Sequence, residues 1–141
     1  MQTNEEILRQ KIALGWIASL LLLATTLEAM MLQGLFTEAD FFALRTDPGY
    51  EGLVLLKVFS AVYVLMAMGV YVFESRRFFR WIAVVVSIFL FFMLLLHHLS
   101  HWYFGQRPTL GSHVMDVMHH LSMGWVVWNS IRWARVPRTT N

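Results

Sequence analysis

The chain contains no cysteine, which excludes disulfides, thiolate metal sites and a cysteine nucleophile, and leaves the redox compartment open. Charge is scarce as well. Asp, Glu, Lys and Arg make up 14% of the 141 residues, against roughly 25% in soluble chains. The net charge of +2 is too small and too scattered to imply a nucleic-acid partner. There is no internal repeat and no low-complexity segment. Histidine is missing from most of the chain, because all six lie between His97 and His120.

What is abundant is apolar surface, at 57% of residues. Four runs approach or exceed the ~20 apolar residues that cross a bilayer, and a single soluble domain of this length cannot hide so much. The expectation is an all-α integral membrane protein, a four-helix bundle in up-down-up-down order. Its spans lie at about 12–36, 53–73, 81–103 and 112–133. The amino terminus does not read as a cleavable signal, since Glu5 and Glu6 dilute the basic region and the apolar run is too long. Asn4 is the expected N-cap of the first helix.

Between the spans lie short connections. In residues 37–52, Thr37 and Asp40 resemble a weak capping box, Phe41, Phe42 and Leu44 suit the membrane interface, and Asp47-Pro48-Gly49 is a turn. Lys57 sits about a turn inside the second span and can snorkel to the headgroups. Glu74 to Arg80 is a short basic connection, so the second and third spans are expected to be antiparallel neighbours. The second half of the fourth span carries tryptophans suited to an interfacial belt.

Orientation follows from the basic residues. Eight of eleven (Arg9, Lys11, Arg76, Arg77, Arg80, Arg132, Arg135, Arg138) fall on one side, and Arg45, Lys57 and Arg107 fall on the other. The positive-inside rule then predicts both termini in the cytoplasm. The histidines lie in the outer leaflet, facing the periplasm of a bacterial inner membrane if the source is bacterial.

The stretch HHLSHWYFGQRPTLGSHVMDVMHH, residues 97–120, carries the candidate chemistry. His97 and His101 are four apart and share a helix face about 6 Å apart along the axis, with His98 roughly 60° round from His101. His113, Asp116 and His120 share one face of the fourth span, whose N-cap is expected near Ser112, and His119 points roughly 100° away from His120. Gln106-Arg107-Pro108 ends the third helix in a turn. Folding about that turn brings His101 to the level of His113 and Asp116, and His97 to the level of His120. Glu28 is a carboxylate well inside the first span, which is costly and therefore a candidate for function. It lies about 12 Å from that span's outer end, and His97 about 9 Å from the outer end of its own.

Imidazole with carboxylate suits a transition metal: copper, zinc or non-haem iron. The expected metal set is His97, His101, His113, Asp116, His120 and Glu28, the two acids acting as ligands or as orienters of the imidazoles. The HxxxH spacing of His97 and His101, with the adjacent pair His119-His120, resembles the histidine boxes of membrane desaturases and hydroxylases. That resemblance covers about a sixth of the chain, and those families carry more boxes on longer chains. It implies an imidazole-held metal.

Other readings of the same residues remain open. Two facing histidines also suit a bis-histidine haem. A polar cap at the membrane surface suits a non-catalytic accessory subunit of a larger membrane complex, or a homo-oligomer. Glu28 and the histidines together suit a proton relay. Catalysis requires an open coordination position, which spacing does not reveal.

Overall fold

The computed structural model describes the backbone of residues 3–36, 49–74, 76–103 and 110–137, and within these all side chains but those of 26–36, 49–56, 101–102 and 110–112. It consists of four helices: α1 (Asn4–Phe36), α2 (Gly49–Val72), α3 (Arg77–Tyr103) and α4 (Leu110–Ala134). No strand occurs among the described residues. Two stretches, Asn4–Thr25 and Arg77–Ser100, are long and apolar enough to cross a membrane, with mean hydropathies of 1.5 and 2.5. Lys57–Val72 is a shorter apolar helix. The other half of the expected four-span pattern does not reach that measure among the described residues. The fourth span is diluted by His113, Asp116, His119, His120, Asn129 and Arg132.

Helix α1 starts on a capping box one residue earlier than expected. Thr3 Oγ1 accepts the Glu6 amide at 3.2 Å, and Glu6 Oε2 accepts the Thr3 amide at 2.8 Å. Thr3 is thus the N-cap, and Asn4 is already helical, because a hydroxyl three residues ahead of Glu6 lets both orphan amides be paired. Helix α4 likewise begins at Leu110, so Ser112 lies inside it. The Thr37–Asp40 capping box, the aromatics Phe41 and Phe42, and the Gln106-Arg107-Pro108 turn fall outside the described residues. Lys57 is exposed.

The helices pack in cyclic order, with the α1–α4 contact broadest and α2–α3 narrowest. Every neighbouring pair is antiparallel. Gly15 and Ser19 of α1 meet Val126 and Ser122 of α4. Trp16 meets Tyr63 of α2, with ring centroids 5.5 Å apart. Gly69 of α2 meets the Phe79 ring of α3. Phe91 of α3 meets Gly124 of α4.

Small residues set the closest approaches. A methyl group on Gly15 would stand 2.5 Å from Val126 Cγ2, and one on Gly69 would stand 2.3 Å from the Phe79 ring. Gly15 and Ser19, four apart, form the small-residue seam that lets two helix backbones approach. Ser122 reinforces it by donating to the Gly15 carbonyl at 3.1 Å while bonding Ser19 Oγ at 2.9 Å.

One end of the bundle is tied by a buried cation. Arg80, 5% exposed, pairs with Glu5. It donates to the carbonyls of Glu74, Trp133 and Val136 at 3.2–3.4 Å. Its guanidinium also lies 5.3 Å from the Trp133 ring centroid. Arg9 pairs with Glu74 alongside. The start of α1, the α2–α3 connection and the end of α4 therefore meet at one end, and the histidines gather at the other.

Candidate functional site

The phases of α3 and α4 decide which histidines meet. In α3 the buried residues are Arg80, Ala83, Val84, Ser87 and Leu90. Continuing in steps of three and four from Ser87, that face runs through Phe91 and Leu94 to His98. His97 is one residue off this line and is exposed. His98, not His97, thus takes the place opposite His120, with ring centroids 5.8 Å apart. His98 also lies 5.6 Å from the His113 ring. The reason is rotation: adjacent helical residues differ by about 100°, so only one of the His97-His98 pair can face α4.

Asp116 holds two of these rings. Its carboxylate accepts the Nδ1 proton of His98 at 2.9 Å across the α3–α4 seam. Its backbone carbonyl accepts the Nδ1 proton of His120, one turn on, at 2.7 Å. A carbonyl can only accept, so Nδ1 of His120 carries the proton, and the neutral ring keeps its lone pair on Nε2. That Nε2 is buried with no hydrogen-bond partner among the described residues. The Phe91 ring stands nearly perpendicular to His120 at 5.9 Å.

His119 belongs to a different environment. It is 5% exposed, and its Nε2 is 3.1 Å from the Tyr63 hydroxyl of α2. The two rings meet edge to face at 5.9 Å. The expected divergence of His119 from His120 is what α4 presents. Each side chain of this adjacent pair reaches a different helix, so the two do not converge as a histidine box requires.

The remaining expected residues divide as follows. His113, Asp116 and His120 lie together around His98. The side chains of His101 and Glu28 lie outside the described residues, although both positions are helical. Helix α1, which carries Glu28, neighbours α2 and α4. Among the described residues no three His, Cys, Asp or Glu side chains stand in positions to hold a metal ion. Two residues outside the expected metal set are brought in as partners, His98 and Tyr63. For His98 the small and polar residues Ala83 and Ser87 were the available signal, since they mark the inward face of an otherwise uniformly apolar helix. Nothing local distinguishes Tyr63.

Beside the imidazoles runs a groove of about 640 Å³ between α3 and α4. His98 and His120 stand at one end, Phe91, Leu121 and Gly124 along it, and Trp125 and Trp128 toward the other. Comparison with known protein families, curated proteins and solved structures gives no match to this chain.

Proposed function

We propose that this is a multi-pass membrane protein whose α3–α4 seam binds a transition metal through imidazole nitrogen. His98 and His120 supply Nε2, His113 stands beside them, and Asp116 orients the rings. The observation that carries this reading is the buried, unpartnered Nε2 of His120. Leaving such an acceptor unpaired costs about 1–3 kcal/mol, which a bound cation would offset. A carboxylate or carbonyl on Nδ1 is also the usual outer partner of a metal-ligating histidine, because it fixes the tautomer and makes Nε2 more basic. Asp116 supplies both kinds of partner, one to each ring. Copper, zinc and iron all suit imidazole.

The membrane placement is supported by the two long apolar helices and by the outward faces. Leu14 and Leu21 of α1, Leu65 and Met68 of α2, Phe89, Phe92 and Leu96 of α3, and Leu121 and Trp128 of α4 are all exposed. Helices apolar on their outer side as well as their inner one suit lipid as the surrounding medium. The distribution of basic residues supports a reading with both termini in the cytoplasm and the imidazoles toward the outer surface.

Metal content and an absorption spectrum of the purified protein test this reading, together with His98→Ala, His120→Ala and His97→Ala. The expected result is about one equivalent of metal per chain, lost in the first two variants and kept in the third. A porphyrin spectrum would replace the ion with a bis-histidine haem. No metal in wild-type protein supplied with copper, zinc and iron would overturn the proposal and favour an accessory-subunit role.

A further inference from the structure

We infer that the α3–α4 groove binds a membrane-dissolved phenol or hydroquinone carrying an apolar chain, with its hydroxyl at the imidazole end. Three observations lead there. The groove's volume of about 640 Å³ lies within the roughly 300–1,000 Å³ of small-molecule sites. Its shape is elongated: the α4 wall from Val117 to Trp128 spans about 16 Å at 1.5 Å per residue, so a ring and a chain fit end to end. Its polarity is confined to one end, where His98 and His120 stand, while Leu95, Leu121, Trp125 and Trp128 make the rest apolar.

The chemistry of the polar end selects the ligand. Both imidazoles have an acceptor at Nδ1, the Asp116 carboxylate for His98 and the Asp116 carbonyl for His120. In their neutral forms they present lone pairs at Nε2, so the ligand must bring a hydroxyl and not a bare carbonyl. The Phe91 ring beside His120 supplies an aromatic neighbour for the ligand's own ring. This inference rests on the reading of His120 Nε2 as a binding atom. That nitrogen is buried in the free protein, so the ligand parts the Phe91 and His98 rings beside it to donate its hydroxyl there, and it competes with a metal for the same lone pair.

Gly124 makes the groove testable separately from the imidazoles. A Cβ there meets only Phe91 Cε2, at 3.8 Å, an ordinary contact. A larger side chain at 124 therefore fills the groove without forcing the two helices apart. The probe is a decyl-substituted hydroquinone titrated into detergent-solubilised protein, read by quenching of tryptophan fluorescence. Wild type should quench saturably. Gly124→Leu should raise the half-saturating concentration at least ten-fold while keeping helical circular dichroism and metal content. Gly124→Ala should show a smaller rise. Decylbenzene, which lacks the hydroxyl, should bind at least ten-fold more weakly than the hydroquinone, and His120→Ala should abolish that preference.

Equal, non-saturating quenching in wild type and Gly124→Leu would mean partition into the micelle and would overturn the inference. So would a wild-type dimer that Gly124→Leu dissociates in the absence of any saturable quenching, because a second copy would then occupy the groove. Absence of metal with groove binding intact would sink the metal reading alone.

Discussion

Asp116 and His98 are joined across the α3–α4 seam by a 2.9 Å hydrogen bond between the carboxylate and Nδ1. Both side chains are partly buried, at 21% and 25% exposure for His98 and Asp116 respectively. The bond fixes the ring's direction, so it bears on binding geometry more than on fold stability.

Removing that bond should weaken metal binding without abolishing it. Asp116→Ala is expected to lower metal affinity about 10–100-fold, the usual cost of losing an outer partner of a ligating histidine. Asp116→Asn keeps a carbonyl acceptor for Nδ1 and should cost less. The His120 bond uses the backbone carbonyl and survives both changes. Titration with a competing chelator measures this. Complete loss in Asp116→Asn would instead make the carboxylate a direct ligand.

The Tyr63–His119 pair should behave as part of the fold. Tyr63→Phe leaves His119 Nε2 buried without its 3.1 Å partner and should destabilise the bundle by about 1–3 kcal/mol. Metal content should stay unchanged, since His119 faces α2 and not the seam with α3. Unfolding in mixed micelles and metal analysis of the same preparation check both halves. A stable variant that has lost its metal would place His119 in the site.

Two glycines should respond oppositely to alanine. Gly15→Ala drives a methyl to 2.5 Å from Val126 Cγ2 and 3.3 Å from Trp125, and Val126 is fully buried. The cost should be about 1–3 kcal/mol, the range for overpacking a close contact. Gly124→Ala meets Phe91 at an ordinary 3.8 Å and should be neutral or slightly stabilising, because alanine is the better helix former. Unfolding midpoints of the two variants give the comparison. Equal stability would mean that the α1–α4 seam can open by several tenths of an ångström at no cost.

Orientation is tested in whole cells. A cysteine at Thr46 should react with a membrane-impermeant maleimide, and a cysteine at Ser75 should react only after permeabilisation. The chain has no cysteine of its own, so the background is clean. The reverse pattern would put the imidazoles on the cytoplasmic side.

Four helices were legible from apolar run length alone. Their ends at Phe36, Tyr103 and Ala134 fall within one residue of where the runs stop, because the chain there meets polar or turn-forming residues. The separation of His119 from His120 was equally legible, since it depends only on the helical turn. Which of His97 and His98 faces inward had one local signal, the small and polar Ala83 and Ser87 in the apolar middle of α3. Apolar run length does not reveal it, and the rotation of α3 is set by where those two residues let it approach the bundle. The same holds for the Gly15–Ser19 seam and for Tyr63, whose partners lie 107, 103 and 56 residues away. Sequence by itself determined the helices, the scarcity of charge and the crowding of histidine into one end. Only packing decided that Asp116 would hold two imidazoles at once. That depends on the register of α3 against α4, and register between two apolar helices comes from close contact between specific side chains, not from a hydrophobic stripe.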